Sequence, residues 1–140
     1  MPEEIYPVEL IAPDIEPYRK GNIGIDFVTS LDSGKPGPHV MINAITHGNE
    51  VCGAIALDYL FRANVRPTHG KLTLGFVNHL AYSNFDPDNP GLSRFVDEDF
   101  NRVWTEDRLD GLEVTAELRR ARELRPVFDT VDLLLDIHSM

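Results

Sequence analysis

Two stretches of this chain, Val40 to Thr46 and Val131 to His138, read as strands with no polar face. Asn43 alone interrupts the first, and Leu133-Leu134-Leu135 fills the second. A strand with one side in water alternates apolar and polar residues. These runs do not alternate, so they call for a sheet covered on both faces. That requirement narrows the fold more than any other feature.

The intervening segments fit it. Ile23 to Ser30 is strand-like, with β-branched Val28 and Thr29. The turn signal Asp32-Ser33-Gly34-Lys35-Pro36-Gly37-Pro38 follows. Glu50 to Asn64 reads as a helix whose Cys52, Gly53, Ala54 and Ala56 permit close packing on a sheet. Asn64 is suited to end it in a left-handed conformation, with Pro67 just beyond. Leu72 to Asn78 is a third strand. A polar loop runs from Ala81 to about Gly111, long enough to suggest a functional segment. Asp110 and Glu113 have capping-box spacing before a helical stripe of Val114, Leu118, Ala121 and Leu124. Arg119 and Glu123 are spaced to pair on its polar face, and Pro126 is expected to kink or end it. The order of elements predicts an α/β domain, with a mostly parallel or mixed sheet flanked by helices. Residues 1–140 are expected to form a single domain, with residues 1–20, rich in proline, as an irregular arm.

Composition excludes some functions. A net charge of −10 argues against a nucleic-acid partner, whose phosphates need a basic footprint. No run of 18 apolar residues is present, so no membrane helix is expected. The acidic start Met1-Pro2-Glu3-Glu4 lacks the apolar core of a secretory signal. Cys52 is the single cysteine, so no internal disulfide forms, and a reducing, cytoplasmic setting is expected.

Chemistry concentrates at two strand ends. His47 and Glu50 lie at the junction between the second strand and the first helix, and His138 ends the last strand. Ligands of open α/β sheets gather beyond the carboxyl ends of the strands. Two imidazoles and a carboxylate suit zinc, with a fourth position left for water. Each segment also has a plainer reading. His-x-x-Glu describes a capped helix start with a surface carboxylate, and His138 read alone is a hydrogen-bonded histidine. The loop Arg94-Phe95-Val96-Asp97-Glu98-Asp99-Phe100-Asn101-Arg102 adds a guanidinium and an amide able to clamp a carboxylate, or simply a solvated charged surface.

Thr46-His47-Gly48-Asn49-Glu50, the Arg94–Arg102 loop and Leu135-Asp136-Ile137-His138-Ser139, in that order, resemble the succinylglutamate desuccinylase/aspartoacylase family, a relative of the zinc carboxypeptidases. Glu117 and Arg120-Ala121-Arg122 also resemble that family's helix. The resemblance implies one zinc ion per chain, held by His47, Glu50 and His138. It implies a small substrate whose carboxylate is bound by Asn101 and Arg102, with Arg94 near the same pocket. The implied reaction is hydrolysis of the amide, or a similar ester, of an N-acyl amino acid. A carboxypeptidase-like peptidase would use the same groups. Asp99 and Asp136 are candidates to orient the ligand imidazoles.

Two departures stand out. Asn78-His79 replaces the Asn-Pro of many members. The general-base glutamate of the family lies beyond the third ligand, where this chain has nothing, so the domain is expected to be incomplete at its C-terminus. A non-catalytic metal-binding fragment is therefore the rival reading. Association through an exposed sheet edge, including formation of a homo-oligomer, is expected for the same reason. His39, His69 and His79 are expected at the surface or in turns, Cys52 as a packed side chain, and Trp104 as a packing residue or pocket wall.

Overall fold

A computed structural model describes residues 8–139. Residues 1–7 of the expected arm, and Met140, lie outside them. The sheet has four strands: β1 (Val28–Asp32), β2 (His39–Ala44), β3 (Lys71–Phe76) and β4 (Leu133–Asp136). Their order across the sheet is β1-β3-β2-β4. β2 runs parallel to both β3 and β4, while β1 is antiparallel to β3. The fold is α/β with a mixed, mostly parallel sheet. Helices α1 (Val51–Arg62), α2 (His79–Tyr82), α3 (Glu106–Leu109) and α4 (Ala116–Phe128) complete it.

The inner strands are covered on both faces. One apolar cluster joins Ala44, Leu74 and Phe76 to Val51, Ala54 and Leu57 of α1. The other joins Val28 and Val77 to Leu118, Ala121 and Leu124 of α4, with Phe100 and Val103 from the loop. Gly53 brings α1 close to the sheet, since a Cβ there would lie 3.0 Å from that of Ala44. Asn64, at φ 54°, adopts the left-handed conformation expected after α1. Residues 8–20 are not merely an arm: Ile15 is buried, and Tyr18 stacks on Phe61 at 4.2 Å between ring centroids. Among the described residues, no helix is long and apolar enough to cross a membrane.

Several expectations need correction. The first strand begins at Val28, not Ile23, because Gly21, Gly24 and Phe27 take positive φ and turn the chain. The side chain of Asn22 then acts as a false strand, donating to Ser30 O and accepting from Ser30 N, each at 2.7 Å. Asp110 does not cap α4. It closes α3, and Thr115 is the cap, accepting from Leu118 N at 3.0 Å. Val114 therefore lies outside the helix and is exposed. Glu123 pairs with Arg120 at 3.0 Å instead of Arg119. Pro126 sits inside α4, which continues to Phe128. The expected loop from Ala81 to Gly111 contains α3 and 3₁₀ turns at Pro90–Ser93 and Phe100–Arg102.

The largest correction concerns β4. Leu133, Leu134 and Leu135 are 63%, 47% and 54% exposed, so this strand is not buried on both faces. It forms the sheet edge and pairs only with β2 among the described residues.

Candidate metal centre

β2 ends because Ile45 takes φ 53°, and the turn that follows carries His47 into the protein before α1 begins. Gly48 makes that turn possible: a Cβ at this position would overlap Ser93 O and the Ala81–Tyr82 backbone. Glu50 occupies the cap position of α1, with its side chain turned away from the helix and towards His47. β4 carries its chain in register with β2, and Ile137 N continues the ladder to Asn43 O at 3.0 Å. His138 is thereby delivered to the same edge.

His47, Glu50 and His138 offer one ligand atom each, all within 4.8 Å of one another. Both imidazoles turn Nδ1 towards Glu50 Oε1, His47 in close contact and His138 at 3.3 Å. Both present Nε2 to an aspartate. His47 Nε2 lies 2.9 Å from Asp99 Oδ1, and His138 Nε2 lies 2.8 Å from Asp136 Oδ2. Asp136 is itself fixed by the Thr46 hydroxyl, which donates to Oδ1 at 2.8 Å. The donor set fits zinc, because two nitrogens and a carboxylate oxygen converge while carboxylates hold the outer nitrogens.

The electrostatics of the centre favour its charged groups. Burial raises the Glu50 carboxyl, but the Ser139 N–H, His47 and His138 outweigh it and hold it below the ordinary range. Burial likewise opposes ionisation of Asp99, and hydrogen bonds from His47 and the Asn101 N–H prevail, so its pKa is lowered. His138 moves the other way: burial lowers it, while Asp136 and Glu50 more than compensate and raise it.

The loop residues divide. Arg94 pairs with Asp99 at 3.6 Å, and its carbonyl accepts from Gly48 N at 3.1 Å. Asn101 is exposed, and its side lines a cavity of ≈ 290 Å³ beside the centre, together with Asn43, Thr46, Phe100, Trp104 and Asp136. Arg102 is exposed at the end of the same turn and does not line this cavity. Arg108, farther along the same loop, is a structural counter-charge between Glu98 and Glu113.

Two histidines depart from their expected surface positions. His39 joins Thr73 Oγ1 at 2.6 Å and Thr130 O at 3.1 Å. His79 is half-buried on Phe27, ring centroids 4.6 Å apart, and burial together with Arg120 and Arg19 pushes its pKa down to about 4. Thr46 and the Ser139 N–H are site groups that no spacing rule identifies, because their partners lie about ninety residues away in sequence.

Comparison with known proteins agrees with this geometry. A family model described as the succinylglutamate desuccinylase/aspartoacylase catalytic domain matches residues 36–140. Comparison with curated protein sequences finds no match. Among solved structures, the succinylglutamate desuccinylase of Chromobacterium violaceum is similar at TM-score 0.62 and 19% identity, over 81% of this chain and 37% of that one. An aspartoacylase family protein of Mesorhizobium loti is similar at TM-score 0.62 and 23% identity, over 88% and 38%. Murine aminoacylase 3 is similar at TM-score 0.57 and 26% identity, over 74% and 36%. The chain thus spans somewhat over a third of the length of these relatives.

Proposed function

The chain belongs to the succinylglutamate desuccinylase/aspartoacylase family, and from that premise we propose that it carries the zinc-binding part of a deacylase acting on N-acyl amino acids. The observation that supports this most is that each imidazole, with Nδ1 turned inward, meets an outer carboxylate through Nε2: His47 with Asp99, His138 with Asp136. Such pairing fixes the tautomer and raises the basicity of an imidazole ligand. A lone buried histidine has no need of it.

His47, Glu50 and His138 would hold the ion. Zinc supplies Lewis acidity to an acyl oxygen and to an attacking water. Asn101, which lines the cavity beside the centre, and Arg102, exposed at the next position, would hold the carboxylate of the substrate, the planar guanidinium by a bidentate contact. Arg94 is already engaged by Asp99 and would shape that end of the pocket. The names of the relatives, succinylglutamate desuccinylase and aminoacylase among them, point to the same acyl amino acid class. The general-base role is assigned to no residue of this chain.

Binding tests this reading without requiring turnover. The zinc-loaded chain should bind an N-acyl amino acid in calorimetry, and Arg102→Ala should weaken that binding by at least tenfold. Unchanged affinity in Arg102→Ala would remove the carboxylate clamp from the proposal.

A further inference from the structure

Glu117 is completely buried near the start of α4, yet it carries a carboxylate. Its two oxygens accept four hydrogen bonds. Three come from successive backbone N–H groups of the loop: Val96 at 3.1 Å, Asp97 at 2.8 Å and Glu98 at 3.1 Å. The fourth is from Asn78 Nδ2 at 2.8 Å. Three consecutive N–H groups converging on one carboxylate form an anion-binding nest. Here the anion is part of the protein.

The loop answers with contacts of its own. Asp97 Oδ2 accepts from Ala116 N at 2.7 Å, and Thr115 Oγ1 donates to Glu98 Oε2 at 2.6 Å. Residues 96–98 are therefore pinned to the N-terminus of α4. The next residue is Asp99, whose carboxylate meets His47. On the other side, Gly48 N holds Arg94 O. Asp99 and Asn101, which the loop brings to the centre, follow directly on this pinned segment. Losing one partner of a buried charged network leaves the others without hydrogen bonds, which is costly.

We infer that Glu117 is a positioning residue for the metal centre, acting through the loop to set Asp99 against His47 and to present Asn101. This rests on the zinc reading above for its functional meaning, though not for its structural content. Glu117 touches neither ligand nor substrate, so its effect must pass through Asp99.

A double-mutant cycle on zinc affinity tests this, using the whole chain with Asp99→Ala, Glu117→Gln and both together. Glu117→Gln keeps the shape but turns one acceptor oxygen into a donor. It should weaken zinc binding by about tenfold, the lower end for groups that orient a ligand. The double variant should bind no more weakly than the weaker single one. Additive losses, or unchanged affinity in Glu117→Gln, would overturn the inference, because a residue that only stabilises the fold would not interact with Asp99. Amide hydrogen exchange gives the independent readout: Val96, Asp97 and Glu98 should exchange at least tenfold faster in Glu117→Gln, and unchanged protection would also overturn it. If the parent chain binds no zinc, the proposed function fails while the exchange result still decides the role of Glu117. Should Glu117→Gln not fold, Asn78→Ala removes one of the four anchors and should produce smaller changes of the same sign.

Discussion

Asp99 Oδ1 lies 2.9 Å from His47 Nε2, although 52 residues separate them in sequence. The contact ties the loop to the metal turn and leaves Nδ1 of His47 facing Glu50. Removing it should release the imidazole. Asp99→Ala is predicted to lower zinc affinity by about 10–100-fold, as losses of ligand-orienting groups typically do. Competition with a chromophoric chelator measures this, and an unchanged affinity would show that Asp99 plays no part.

Gly48 permits the metal turn to lie against Ser93 and the Ala81–Tyr82 backbone, where no Cβ fits. Gly48→Ala should therefore cost about 1–3 kcal/mol in stability, the usual range for overpacking. Urea unfolding would measure it. Zinc affinity should fall in the same variant, since His47 and Glu50 flank the displaced residue.

The pH dependence of stability should show the buried His79. Its folded pKa of about 4 lies below the ordinary 6.5, so the unfolded chain binds its proton first as pH falls. Its contribution is complete above pH 6.5 and is lost as pH falls towards 4. Comparing urea midpoints at pH 7 and pH 5, His79→Phe should lose less stability on acidification than the parent. An equal loss would contradict this.

The start of α4 can be decided by mutation. Thr115→Ala should cost about 1 kcal/mol, the usual value of an N-cap. Asp110→Ala should cost less, because its contact with Arg125 is an exposed ion pair. The reverse order would restore the capping box suggested by spacing.

The legible part of the fold came from runs in which burial imposes a pattern. Val40–Thr46 and the α1 stretch needed only local periodicity, and each observed boundary lies within two residues of the expected one. The misreadings arose where a tertiary contact decides. Asn22 pairs with Ser30 across a turn and shortens the first strand, and Thr115 competes successfully with Asp110 for the helix start. Leu133-Leu134-Leu135 has the composition of a covered strand, and among the described residues it pairs only with β2 and is exposed. The convergence of His47, Glu50 and His138 was legible because two strand ends carry histidine. The supports contributed by Thr46, Glu117 and the Ser139 N–H were not, since an ordinary threonine, glutamate or amide has no signature until the chain folds.

That exposed leucine edge should also act in solution. An apolar strand with an open hydrogen-bonding edge favours association between copies. The chain is predicted to self-associate in light scattering, and Leu133→Lys should reduce the apparent mass. A monomeric parent would contradict this.

The zinc content of the purified chain tests the site formed by His47, Glu50 and His138. The parent is expected to bind about one equivalent of zinc at His47, Glu50 and His138, with binding lost in both His47→Ala and His138→Ala. Equal zinc in the parent and in either variant would show that this triad is not the metal site.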